Sequence, residues 1–145
     1  SAAVLLGELG LVSAEYEYVD YASSDLESSR YKFEDENITI SRDFKPAHNV
    51  KAGLEFRFNP VYVRAGFQYF MNAYTDSRNG SDRYVFSGGL GFRSNRTFID
   101  FSYAYSTNRE LYGLYSYAPD FAEGFERSVN NYRNSNIRIT LGYNF

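Results

Sequence analysis

From residue 48 to residue 58 the chain reads HNVKAGLEFRF, and every second residue from Val50 onward is apolar: Val50, Ala52, Leu54, Phe56 and Phe58. The residues between them, Lys51, Gly53, Glu55 and Arg57, are charged or glycine. Successive side chains of a strand point to opposite faces, so this pattern predicts a strand with one greasy and one polar side. The same alternation recurs along most of the chain and predicts seven strands, over 1–6, 11–22, 48–58, 61–74, 83–93, 97–108 and 136–145. Helical periodicity is nearly absent; a short helix fits only inside a loop, at 26–36 or 119–129.

The connections alternate in length. Those at 7–10, 59–60 and 94–96 are short, and those at 23–47, 75–82 and 109–135 are longer. An up-and-down antiparallel sheet puts all the short turns at one end and all the long loops at the other. Outer-membrane barrels have that asymmetry, with tight periplasmic turns and longer extracellular loops.

The apolar faces carry two concentrations of rings. Tyr16, Tyr18, Tyr69, Tyr84, Tyr103 and Tyr105 gather toward the long-loop end, and Phe56, Phe58, Phe92, Tyr143 and Phe145 toward the short-turn end. Between them lies a largely aliphatic band that includes Leu54, Val63, Leu90, Ile139 and Leu141. Aromatic girdles flanking an apolar zone suit a sheet that meets lipid. The opposite face supplies candidate lumen-lining residues: Glu15, Glu17, Lys51, Glu55, Arg57, Arg64, Gln68, Arg93, Asp100 and Arg138. The reversed arrangement, a soluble barrel with the rings inside, meets a volume problem. A small barrel interior is only wide enough to be filled by side chains or to hold one small ligand. This apolar face is too large and too aromatic for that.

Composition narrows the classes. The net charge is -3, so no basic footprint invites nucleic acid. Aromatic residues make up 19% of the chain, yet mean hydropathy is -0.48, as expected when large apolar groups interleave with polar ones. No stretch approaches the roughly 18–20 apolar residues of a membrane helix. There are no cysteines, which excludes disulfides and thiol chemistry.

Candidate chemistry is sparse. His48 is the single histidine and reads as a solvated surface residue at a strand start. With one His and no Cys, no transition-metal site and no cofactor is expected. Glu15 with Glu17, or Glu55 with Asp100, have the composition of acid pairs. Lumen carboxylates balanced by Arg57, Arg64, Arg93 and Arg138 explain them more simply. The acidic run DLESSRYKFEDEN lacks the spacing of a calcium loop and reads as solvated. No nucleophile–base pair stands out, so no enzyme activity is expected. The segment LYGLYSYAPDFAEGF places Leu111, Tyr112, Leu114, Tyr115, Tyr117, Phe121 and Phe125 on the expected extracellular side. Apolar loop clusters serve as binding surfaces or pack on themselves.

The runs AEYEYVDYAS, HNVKAGLEFRFNPVYVRAGFQYF, SGGLGFRSNRTFIDFSYAYS and ITLGYNF resemble the C-terminal half of FadL-type outer-membrane transport proteins of Gram-negative bacteria. The likeness covers nearly the whole chain. It implies a 14-stranded barrel taking up long-chain fatty acids or other hydrophobic compounds, of which these are the last seven strands. Seven is otherwise an awkward number, since single-chain bacterial barrels use even counts. An eighth strand within 26–44, where ITISRDF is the candidate, or within 111–118 is the alternative. The family's plug and wall break belong to its N-terminal half, so no substrate-binding residue carries over.

The expectation is an outer-membrane barrel segment that passes hydrophobic small molecules. Its partners are outer-membrane lipid, the cargo, and the N-terminal part of the same barrel or another chain. The competing reading is a barrel without transport: structural, adhesive or accessory to secretion.

Overall fold

The computed structural model describes residues 1–76, 80–112 and 128–143. It is a single seven-stranded antiparallel up-and-down sheet: β1 (Ala2–Leu5), β2 (Gly10–Asp20), β3 (Pro46–Phe58), β4 (Val61–Phe70), β5 (Arg83–Arg93), β6 (Thr97–Tyr112) and β7 (Ser128–Tyr143), in that spatial order. One helix, α1 (Glu34–Asp43), interrupts the connection from β2 to β3. Neither the outer edge of β1 nor that of β7 has a strand partner among the described residues.

The register keeps the two kinds of side chain apart. Residues directly opposite in an antiparallel pair share a face, so each ladder carries the alternation of one strand onto the next. One row runs Val12–Leu54–Ala65–Gly88–Tyr103–Ile137 across six strands, and the next runs Phe56–Val63–Leu90–Phe101–Ile139. On the other face one row runs Glu55–Arg64–Gly89–Ser102–Arg138, and another Glu15–Lys51–Gln68–Val85–Ser106–Asn134. No one-residue slip mixes them.

The exposure of the faces is inverted relative to a soluble sheet. Phe86 and Leu90, on an interior strand, are 53% and 55% exposed, while the side chains of Glu55 and Asp100 are only 15% and 20% exposed. Among the described residues Ala47 is the sole buried apolar residue, and no large side chain is fully buried. Crowding follows the same division. A Cβ on Gly53 would lie 2.9 Å from Ser13 Oγ and one on Gly66 2.6 Å from Ser87 Oγ, both on the polar face. On the apolar face a Cβ on Gly88 would meet only a backbone oxygen at 3.9 Å. At these glycines the polar face is the more crowded of the two.

The three short turns lie at one end of the sheet, as the alternation of connection lengths predicts. In the first, Gly7 has φ +60° and Gly10 φ +154°, and a Cβ on Gly10 would strike the Glu55 carbonyl. Both positions need glycine, the first for its left-handed backbone and the second also for close approach.

Several boundaries differ from the sequence reading. The segment ITISRDF is not an eighth strand; nearly all of it lies in α1. β2 and β3 pair directly from Gly10 with Phe56 to Asp20 with Pro46, leaving no place for a strand between them. The helix also runs later than 26–36. Glu34, Asp35 and Glu36 occupy its first turn and Arg42 its last, the charge order the helix dipole favours. The Thr39 hydroxyl donates to the Asp35 carbonyl at 2.9 Å, so a β-branched residue sits within the turn. β4 ends at Phe70 rather than Tyr74, because the Asn72 amide N–H is taken by the Asp82 carboxylate at 2.8 Å. β6 and β7 run to Tyr112 and from Ser128, so much of the expected loop 109–135 is a paired hairpin. The other helix candidate, 119–129, lies mostly outside the described residues, its last two residues belonging to β7; of the strand candidate 111–118, residues 111–112 close β6 and the rest lie outside.

Candidate functional site

All ten candidate lumen residues fall on the polar face. On β2 and β3 this face takes the odd positions, so Glu15 and Glu17 stand beside Lys51, Glu55 and Arg57. On β4 and β6 it takes the even positions, bringing Arg64, Gln68 and Asp100 to the same side. Arg93 on β5 and Arg138 on β7 complete the set.

Toward the short turns, four charged residues form a chain. The Arg57 Nε donates to Glu55 Oε1 at 2.7 Å, the Arg64 Nε donates to Glu55 Oε2 at 2.6 Å, and the Arg64 Nη1 donates to Asp100 Oδ1 at 2.9 Å. Glu55 and Asp100 are therefore not an acid pair sharing a proton. A guanidinium stands between them and donates to both. Arg93 is not part of the chain; its guanidinium lies over the Tyr62 ring at 4.8 Å and the Phe98 ring at 6.0 Å. Arg138 sits opposite Ser102 and has no carboxylate within 4.0 Å among the described residues.

Toward the long loops, Lys51 donates to Glu15, and the Asn49 amide donates to Glu17 at 2.9 Å. Gln68 stands opposite Lys51. Arg83 lies over the Phe70 ring at 4.1 Å, with Lys51 at 5.9 Å from the same ring. Between the two charged zones the row Ser13–Gly53–Gly66–Ser87–Ala104–Asn136 crosses β2 to β7, uncharged throughout and small up to Ala104. Two shallow depressions lie along it, of about 460 Å³ beside Glu15, Lys51 and Gly53, and about 360 Å³ beside Arg64, Ser87 and Ser102.

The rings of the apolar face stand close enough to touch. Phe67 and Phe86 are 5.2 Å apart and Tyr69 and Tyr84 5.3 Å apart between centroids. His48 is exposed, but as the third residue of β3 it stands on the ring-bearing face rather than at the strand start. Its Nδ1 is 2.7 Å from the Tyr16 hydroxyl, and the ring stacks on Tyr16 and tilts against Tyr18, so it belongs to the tyrosine row.

At the loop end, three connections are tied together. Lys45 N–H donates to the Ala73 carbonyl at 2.8 Å and Thr75 N–H to the Asp43 carbonyl at 2.9 Å, while Phe44 and Tyr74 pack at 5.0 Å. Ser81 and Arg109 exchange backbone and hydroxyl hydrogen bonds at 3.0 Å. The α1 segment thus leans on the β4–β5 connection, which leans on the β6–β7 hairpin. Within it, the Arg42 guanidinium holds the Asp43 carboxyl below its ordinary range, and the hydrogen bond to Glu36 pushes the Tyr31 phenol up.

Of the expected hydrophobic loop contacts, Leu111 and Tyr112 close β6, and Leu114, Tyr115, Tyr117, Phe121 and Phe125 lie outside the described residues, as does Phe145. The residues that sequence reasoning did not single out are Tyr62, Phe70, Arg83 and Phe98. Each stands at a polar-face position, and strict alternation from Val61, Tyr69, Tyr84 and Ile99 was the signal that located them. Among the described residues no group of three or more His, Asp or Glu side chains is arranged to hold a metal ion. No described helix is long and apolar enough to cross a membrane, which says nothing about strands.

Comparison with protein-family models, with curated proteins and with solved structures finds no match to this chain.

Proposed function

We propose that this sheet is part of the wall of a transmembrane β-barrel in a bacterial outer membrane, and that the barrel passes hydrophobic small molecules such as long-chain fatty acids. The observation that carries the membrane reading is the inverted exposure: rings and aliphatic chains on the open face, ion pairs on the crowded one. In water an apolar patch beyond about 300–600 Å² is unusual for a monomer, whereas in lipid it is the requirement. The dimensions agree. From His48 to Phe58 the β3 ladder spans ten steps, about 33 Å along the strand and about 25 Å in height at a tilt of about 40°. That matches the apolar band of outer-membrane barrels.

The open edges support a larger wall. β7 offers an edge of 16 residues, with no proline to blunt it. In hydrocarbon such an edge must be paired, because unpaired backbone groups have no water to turn to. β1 and β7 run in the same direction, so an antiparallel closure takes an odd number of further strands; the seven of a 14-stranded barrel satisfy this.

The polar face then lines an aqueous interior with paired charges, and the tied loops form the outer rim. Transport is the part of the proposal that rests on the resemblance to FadL-type proteins. Its test is uptake of a labelled long-chain fatty acid by cells carrying the intact protein, compared with a deletion strain. Faster uptake with the protein supports transport. Equal uptake overturns it and favours a barrel with a structural, adhesive or secretory task.

A further inference from the structure

We propose that the short-turn third of the polar face is an anion-selecting zone, built by Arg57, Arg64, Arg93 and Arg138 in excess over Glu55 and Asp100. The inference rests on the barrel reading, because only then does this face line a passage. Both oxygens of Glu55 accept from arginines, and Asp100 accepts from Arg64. Two carboxylates therefore offset two of the four guanidinium charges. The remaining excess falls to Arg93 and Arg138, neither of which has a carboxylate within 4.0 Å among the described residues.

The surroundings leave that charge available. Arg93 lies over Tyr62 at 4.8 Å and makes no side-chain hydrogen bond or ion pair among the described residues, so its N–H groups are available to a ligand. Arg138 is exposed and shares its row with Ser102 and Gly89, which are small and uncharged. Planar guanidinium edges pair with the two oxygens of a carboxylate or sulfate group. Rings of Arg and Lys are the usual device of anion-selecting pores.

The loop end of the same face is different. There Glu15 and Glu17 stand with Lys51, and Arg83 with Glu110, so carboxylates outnumber cations by one. The positive excess is thus confined to one third of the face. The carboxylates of the α1 segment, including Asp25, Glu27, Glu34 and Asp35, are exposed, and salt screens them beyond about 8–10 Å. Whatever passes the rim meets the arginine zone last.

The test compares two probes of equal chain length, laurate and the dodecyltrimethylammonium cation, both at micromolar concentration. Their uptake is measured in cells carrying the intact protein and in a deletion strain. The zone predicts that protein-dependent uptake favours laurate by about three- to tenfold, from two unpaired charges acting at about 7 Å in a wet passage and screened by physiological salt. Arg93→Gln with Arg138→Gln removes most of that preference, and Arg93→Lys with Arg138→Lys keeps it. Neither arginine holds an ion pair within the sheet, and the lysine variant checks that the barrel still assembles. Equal uptake of both probes by the unaltered protein, or a preference for the cation, overturns the anion zone and leaves the channel standing. No protein-dependent uptake of either probe overturns the channel and the zone with it.

Discussion

Arg64 on β4 reaches Asp100 on β6 over the back of β5, with its Nη1 2.9 Å from Asp100 Oδ1. The two strands are not neighbours. The bridge exists because β5 presents Gly89 opposite Arg64 and Gly91 opposite Asp100, so no side chain stands between them. A Cβ added to Gly91 would run into the Asp100 carboxylate. Gly91→Val is therefore expected to break the bridge and destabilise the protein by about 1–3 kcal/mol, the usual cost of overpacking. Urea unfolding in bilayers measures it, and Gly88→Val, on the open face, serves as the comparison with a smaller loss.

Removing the guanidinium tests the same chain from its centre. Arg64→Met leaves Glu55 with Arg57 alone and Asp100 with no ion-pair partner among the described residues. The arginine side chain is 34% exposed, so solvent moderates the loss. A cost of about 1–2 kcal/mol is expected, shrinking as salt rises. Unfolding curves at low and high ionic strength check both parts.

The two faces respond differently to charge. Leu90→Arg puts a cation at the middle of the apolar band and is expected to cost about 2–4 kcal/mol in a bilayer. Thr140→Arg, on the polar face opposite Asp100, is expected to change stability by less than about 1 kcal/mol, as substitutions on a lumen face act chiefly on selectivity. Equilibrium unfolding of the refolded protein in vesicles compares them directly.

Outside the sheet, Asp43 gives a pH test. Its carboxyl is lowered from an ordinary 3.8 by the hydrogen bond from Arg42. Its folded pKa lies below its unfolded pKa, so any stabilisation is present above about pH 4 and lost as pH falls through the lower folded value. Carboxyl chemical shifts followed by NMR should place the Asp43 midpoint below 3.8, and Arg42→Gln should return it upward.

The faces of the sheet were legible because alternation is strict where one side is greasy. Val50 to Phe58, Val61 to Tyr69 and Tyr84 to Phe92 each carry their polar partners to one side by register alone. The ends were less legible. In the upper β6–β7 hairpin, Thr107, Arg109, Asn131 and Arg133 occupy the positions that lower down hold rings, so both faces are polar and the two-residue signal vanishes although pairing continues. The helix was obscured for the opposite reason. Ile38, Thr39 and Ile40 have strand propensity, and the acidic first turn with the direct β2–β3 pairing overrides it. Which charges pair was also hidden: the Arg64–Asp100 bridge depends on two glycines of an intervening strand, a relationship visible only once the register is known.

The central claim is that the ring-bearing face touches lipid and the charged face does not. These 145 residues hold no cysteine, so a substitution among them adds a label at one chosen position of this sheet. Phe86→Cys, Leu90→Cys and Leu141→Cys report one face; Ser87→Cys, Ser102→Cys and Thr140→Cys report the other. Each variant of the intact protein, spin-labelled and reconstituted in vesicles, is exposed to oxygen, which concentrates in the bilayer, and to a water-soluble nickel chelate. The account predicts strong oxygen and weak nickel relaxation for the first three and the reverse for the second three. Nickel reaching Phe86, Leu90 and Leu141 while oxygen selects Ser87, Ser102 and Thr140 would contradict it.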